Sequence, residues 1–307
     1  MDLKIHKILK EYTLQEADMS SIYRSEEGKS SILEEYEAYV EQLGEGFTRE
    51  YVETRFGQTH VLLTGPEDGK PLFILQGGNC VNPMTLSWFS SLFKDYRIIA
   101  PDTIGHPGYS EETRISARFD SLALWISDLL DHYKIEKSAF IGPSFGGGII
   151  LRLATYIPDR IACSVLVAPA GLAVGSKIKM AQDIVLPLVT YKMTSSPTSL
   201  QKIADIMSCS CMKEIDKNII GKIFKYVSLE QDMPKLTEQD ELVNYTSPTL
   251  LLVGEKDVFF PADKVIERAQ KIIPNVKAIK YDTGHFPSQD VLKQMNQEIQ
   301  QFLQKNY

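Results

Sequence analysis

A serine, an aspartate and a histidine occur in that order in this chain, each just past a predicted strand, and together those residue types can carry nucleophilic acyl transfer. The serine is Ser144 in Gly142-Pro143-Ser144-Phe145-Gly146, between the apolar run Ser138-Ala139-Phe140-Ile141 and a helical pattern from Gly147 to Tyr156. A serine in so sharp a strand-to-helix turn has its hydroxyl lifted clear of the sheet. Glycines two places either side let the backbones approach that closely. A hydroxyl is a poor nucleophile until a base accepts its proton, and the base must be held in one tautomer by a third group. Asp257, in Gly254-Glu255-Lys256-Asp257, follows the run Leu250 to Val253. His285, in Asp282-Thr283-Gly284-His285-Phe286, follows the run ending at Tyr281.

Each assignment has competitors. Glu255 and Asp282 are alternative acids, although Asp282 stands too near its own strand to turn freely toward the imidazole. His285 competes with His106, His60, His132 and His6. His6 lies in a polar terminus and His132 at a helix end, where a solvated role is the default. His106 is a candidate for the pocket rim. Only His285 has the right position relative to both Ser144 and Asp257.

The elements that must position these residues alternate. Short apolar runs at Leu72 to Leu75, Arg97 to Ala100, Ala139 to Ile141, Ser164 to Val167, Leu250 to Val253 and Val276 to Tyr281 suit strands covered on both faces. Two alternating segments from Tyr51 to Leu63 flank Phe56-Gly57-Gln58 as an antiparallel hairpin. Helical stripes occur at Phe119, Leu122, Ala123, Ile126, Leu129, Leu130 and Tyr133, at Val265 to Ile273, and at Leu292 to Leu303. Such alternation implies a mainly parallel sheet with helices on both faces, whose ligands gather at the carboxyl ends of the strands. From about Gly171 to Asn244 the chain turns helical and rich in Met and aliphatic residues. This predicts a helical cap inserted over the site; the alternative is more helix packing on the sheet. The first forty-odd residues are expected to be helical, with Ile32, Tyr36, Tyr39 and Leu43 at helical spacing. Residues 1–46 thus form an extension, 47–170 and 245–307 a core, and 171–244 a cap.

The 307 residues, 43% hydrophobic and 24% charged, are ordinary for a protein with a sizeable core. A net charge of −7 without a Lys/Arg stripe argues against nucleic-acid binding and for a neutral or apolar small substrate. The N-terminus never reaches the apolar length of a signal peptide or membrane span, so a cytoplasmic protein with no membrane partner is expected. Cys80, Cys163, Cys209 and Cys211 lack disulfide-framework spacing. Cys209-Ser210-Cys211 lacks the second pair a metal site needs. No phosphate cradle, dinucleotide fingerprint or ligand cluster is present, so no cofactor and no metal are expected. The leading segment has two candidate roles, packing under the cap or forming a subunit contact in a homodimer.

Gln76-Gly77-Gly78-Asn79, the loop Asp102-Thr103-Ile104-Gly105-His106-Pro107-Gly108-Tyr109-Ser110, the elbow at Ser144, Gly254-Glu255-Lys256-Asp257 and Gly284-His285 occur in an order that resembles the α/β-hydrolase family. The resemblance runs from about Tyr51 to Leu303 and is nearest to bacterial carboxylesterase-like members with a helical cap. It implies an α/β fold with a mainly parallel eight-stranded sheet and an inserted cap. It also implies a catalytic set of Ser144, Asp257 and His285, with an oxyanion hole from the amides of Phe145 and Gly78 and Asn79 in reserve. Many family members have His-Gly where this chain has Gln76-Gly77; the Gln76 amide is expected to brace the loop instead. Asp102 is expected to hold turns together, with Gly105 and Gly108, rather than to take part in catalysis. The expected activity is a serine hydrolase acting on a small carboxylic ester. The alternatives are amide, peptide or carbon–carbon cleavage by the same set, or a ligand-binding protein without turnover.

Overall fold

A computed structural model describes residues 21–44 and 46–307; His6 and the start of the expected N-terminal helix lie outside them. Eight strands form one sheet in the order β1-β2-β4-β3-β5-β6-β7-β8. These are β1 (Thr48–Thr54), β2 (Gly57–Thr64), β3 (Pro71–Ile74), β4 (Arg97–Pro101), β5 (Ser138–Pro143), β6 (Ile161–Val167), β7 (Thr249–Gly254) and β8 (Val276–Tyr281). The β1-β2 hairpin is antiparallel and β2 joins β4 antiparallel, while every pairing from β4 through β3 to β8 is parallel. The expected architecture is therefore present.

Alternation along each parallel strand sorts side chains onto two faces. Leu72 and Ile74 of β3 enter one core cluster with Ala139 and Ile141 of β5, whereas Phe73 and Leu75 enter the other with Phe140. The first face is covered by α1 (Glu26–Leu43), α2 (Asn82–Leu86), the helices between β6 and β7, and the last helix, α10 (Gln289–Asn306). The second is covered by α3 (Ser121–His132), α4 (Phe145–Tyr156) and α9 (Ala262–Ile272). From β3 the chain steps outward to β4 and then returns to place β5 on the other side of β3. The loops after β3 and β5 consequently diverge, opening a crevice at the carboxyl ends of these two strands.

Two boundaries differ from the sequence expectation. Phe119 is 62% exposed and precedes α3, so it belongs to the loop rather than the buried stripe. Between β6 and β7 the helices α5 (Lys177–Met180), α6 (Leu186–Thr194), α7 (Pro197–Ser208) and α8 (Glu214–Tyr226) stop well before Asn244, α5 and α6 being joined by a π-helical turn. The limb from residue 227 onward is irregular apart from a short 3₁₀ turn at Asp240–Leu242. It is held by side chains instead of a helical ladder: Asp232 accepts from the Ala117 amide at 2.9 Å, and buried Pro234 packs on Gly148.

Helix α1 is not a detached extension. Ser25 caps it by accepting from the Gly28 amide, and its stripe of Gly28, Ile32, Tyr36 and Tyr39 is buried. Tyr36 donates to Asp102 at 2.8 Å on the core side, while Tyr39 donates to Asp216 and Lys222 pairs with Glu35 at 2.7 Å on the side of α8. Gly28 lies so close to α8 that a Cβ would come within 2.6 Å of Tyr226. Glu112 completes the clamp. Burial alone would raise its carboxyl, but hydrogen bonds from Lys29, Ser21 and the Ile22 amide outweigh that and bring it below its ordinary value. Among the described residues no helix is long and apolar enough to cross a membrane.

Candidate active site

Ser144 joins β5 to α4 with φ 51° and ψ −113°, a conformation that a non-glycine residue adopts only at a cost of about 1–3 kcal/mol. The surroundings hold it there. Its amide donates to Val167 O at 2.9 Å, and its carbonyl accepts from Gly148 at 3.2 Å and Ala170 at 2.9 Å. The flanking glycines are required by contact: a Cβ on Gly142 would stand 2.3 Å from the Gly146 carbonyl carbon, and one on Gly146 would stand 2.5 Å from Leu75 O. The serine is half-buried, and among the described residues its hydroxyl makes no hydrogen bond, to the imidazole or elsewhere.

Asp257 and His285 follow the adjacent strands β7 and β8, and the structure brings them together: His285 Nδ1 lies 2.8 Å from Asp257 Oδ2. The other carboxylate oxygen accepts from the amides of Phe259 at 2.7 Å and Phe260 at 3.1 Å, so the acid is locked by its own turn. Asp257 is 6% and His285 8% exposed. The rings of Phe259, Phe260 and Phe286 surround the imidazole with centroids 4.9, 5.6 and 5.7 Å away. Among the described residues its Nε2 has no partner, and it is not sealed in, which leaves it the free face for a proton. The competing acids point elsewhere. Asp282 is exposed and pairs with Lys256, while exposed Glu255 faces Lys280 at 3.9 Å.

The loop after β3 reaches the elbow. A Cβ on Gly78 would approach that of Phe145 to 3.0 Å, and neither the Gly78 nor the Phe145 amide has a hydrogen-bond partner among the described residues. The Gly77 amide, by contrast, is taken by Thr85 Oγ1 at 3.1 Å. Gln76 braces this loop. Fully buried, it donates through Nε2 to the carbonyls of Cys80 and Pro107 and accepts at Oε1 from the Thr103 amide at 2.8 Å. Asn79, whose amide is the reserve donor, is anchored by its side chain, which donates to Glu230 O at 3.3 Å and accepts from Glu230 N at 2.7 Å. No sequence signal pointed to that pairing, because Glu230 stands 151 residues away.

Asp102 sits at the bottom of its loop, where it accepts from Tyr36 OH at 2.8 Å and the Tyr109 amide at 2.8 Å and meets His60 Nδ1 at 3.0 Å. Gly108 packs on its carboxylate, where a Cβ would come to 2.5 Å. His106 is buried against Phe145, ring centroids 4.7 Å apart, and burial lowers its imidazole to about 4. It is not a pocket-rim group. His132 ends α3. Among the described residues no cluster of three or more His, Cys, Asp or Glu is arranged to hold a metal ion.

An eight-stranded sheet of this order, with a strained serine at its switch point and a His–Asp pair after its last two strands, matches one large family. Residues 70–290 match the family described as alpha/beta hydrolase fold, and the chain belongs to it. It is 27% identical over 268 residues to the Bacillus subtilis (strain 168) protein named uncharacterized carboxylesterase nap, covering 82% of this chain and 85% of that one. It is 25% identical over 287 residues to carboxylesterase YbfK of the same organism, covering 87% and 93%. In structure it is similar to naproxen esterase (carboxylesterase NP) from Bacillus subtilis, with a TM-score of 0.78, 23% identity, and coverage of 89% of this chain and 96% of that one.

Proposed function

We propose that this enzyme hydrolyses small carboxylic esters through an acyl-enzyme on Ser144. The observation that carries the reading is the 2.8 Å His285–Asp257 contact at the same sheet edge as a strained, unpartnered serine. His285 Nε2 takes the Ser144 proton as Oγ attacks the ester carbonyl. Asp257 holds the tautomer and stabilises the imidazolium that forms. The amides of Gly78 and Phe145 receive the oxyanion, each worth about 3 to 4 kcal/mol at the transition state. The imidazolium then protonates the leaving alcohol, and His285 next activates water to release the acid. The carboxylesterase names of the two curated relatives favour an ester over amide, peptide or carbon–carbon bonds, and over a binding role without turnover.

The segment 171–244 serves as the cap in this reading. Its α7 meets the His285 loop, where Phe286 N donates to Met207 O at 2.9 Å, and its Glu230 meets the oxyanion loop. The cytoplasmic setting and a homodimeric state belong to the same proposal; cell fractionation and gel filtration check them. Incubation with a fluorophosphonate followed by peptide mass mapping tests the core claim. The expected label is on Ser144, and Ser144→Ala should lose both the label and at least about four orders of magnitude of nitrophenyl-ester turnover. Turnover that survives this substitution would end the reading.

A further inference from the structure

The turn that closes α7 carries two thiols and touches the histidine loop. Cys209, with φ 54°, and Ser210, with φ 64°, are consecutive left-handed residues, and the cysteines on either side of Ser210 are both exposed. Cys80 and Cys163 differ: both are buried, and burial pushes their thiols up to about 12. Cys211 Sγ donates to Ser208 O at 2.7 Å and lies 3.8 Å from Phe286 O, the carbonyl one residue past His285. Phe286 N in turn donates to Met207 O. Gly284 fits directly under the turn, where a Cβ would stand 2.6 Å from Met207 O and 3.3 Å from the Ser208 carbonyl carbon. Both neighbours of His285 are thus seated on the segment Met207 to Cys211.

We propose that Cys209 and Cys211 form a thiol–disulfide pair through which a low-molecular-weight disulfide controls the placement of the His285 loop. The effect on turnover rests on the serine-hydrolase reading; the pair itself does not. Cα atoms two apart in a left-handed turn lie roughly 5 to 6 Å apart, within the span of a disulfide. Cys209 Sγ makes no hydrogen bond among the described residues, so it is the attacking thiol. Its thiolate displaces one thiolate from the reagent disulfide to give a mixed disulfide. The Cys211 thiolate then attacks the Cys209 sulfur and expels the second. Two cysteine thiols are oxidised, the reagent is reduced to two thiols, and the two protons lost by the cysteines end on them. A ring closed over one residue is strained, which makes it readily reversible by thiols. Closure draws Cys211 Sγ off the Ser208 and Phe286 carbonyls and reshapes the turn on which Gly284 and Phe286 sit.

Incubating the full chain with oxidised glutathione and mapping its peptides tests the chemistry. The expected product is an internal Cys209–Cys211 link, reversed by dithiothreitol. Oxidation should raise hydrogen exchange at the Phe286 amide and lower kcat for a nitrophenyl ester about tenfold, a loss typical of a base displaced by a fraction of an ångström. Cys209→Ser should keep full turnover and be indifferent to a pulse of oxidant that slows the parent protein about tenfold. A stable glutathione adduct without ring closure, or a closed link that leaves Phe286 exchange unchanged, would overturn the proposal. If the reduced protein shows no ester turnover at all, the hydrolase reading fails, while the link and the exchange measurement still decide the thiol pair.

Discussion

His285 and His60 each present Nδ1 to the Oδ2 of an aspartate, at 2.8 Å and 3.0 Å, on the same sheet. Their surroundings separate them. The His60–Asp102 pair is fully buried, its Nε2 is sealed without a partner, and Tyr36, Tyr51 and Tyr109 ring it. Asp102 spends its remaining capacity on Tyr36 and the Tyr109 amide, which tie α1 and a loop to the hairpin. Asp257 spends its own on two amides of a single turn, which fixes one imidazole and connects nothing else. In the proposed mechanism the first pair serves as a base because its far nitrogen is open, whereas the second, with that nitrogen sealed, can serve only as a cross-link.

Substitutions at the two aspartates sharpen that contrast most. Asp257→Asn should lower kcat by about four orders of magnitude, because the imidazole loses its tautomer, with little change in urea midpoint. Asp102→Asn should cost about 2–4 kcal/mol of stability, read from urea unfolding, while kcat per folded molecule changes only a few-fold. Loss of turnover in folded Asp102→Asn would break the comparison. A smaller effect is expected for Gln76→Met, which removes three hydrogen bonds behind the oxyanion loop: kcat should fall about 10- to 100-fold at nearly constant KM.

The last effect concerns pH and appears only under acidic conditions. Burial depresses His106 from 6.5 to about 4, so folding favours its neutral form. Its contribution is complete above the unfolded value of 6.5 and is lost as pH falls from there toward 4. His106→Phe should flatten the slope of stability against pH in that window, measured by urea titration at several pH values.

Strands β3 to β7 were legible as short apolar runs and the β1-β2 hairpin by its alternation, whereas β8, expected to be covered on both faces, is a largely half-exposed edge strand; Ser144, Asp257 and His285 could be placed because each stands just past a strand. The bracing by Gln76 was legible in kind, since a buried amide beside two glycines needs partners, but the loop it binds was not. The clamp by α1 had only its helical stripe as a signal. Tyr36 and Tyr39 read as ordinary core, and nothing local distinguishes a tyrosine whose hydroxyl reaches a buried carboxylate. The helical reading of Gly171 to Asn244 rests on Met and aliphatic residues that end at Phe224; beyond Tyr226 the chain is polar, and Pro234 and the paired Asp232 set its path.

The α1 clamp also sets an order of events. Its tyrosines grip residue 102 on one side and residue 216 on the other, and the Tyr39–Asp216 contact closes a loop of 177 residues. So long a closure is entropically late. On the ribosome, α1 therefore waits without its far partner until α8 has emerged, when β1 to β6 have been synthesised and β7 and β8 are still to come.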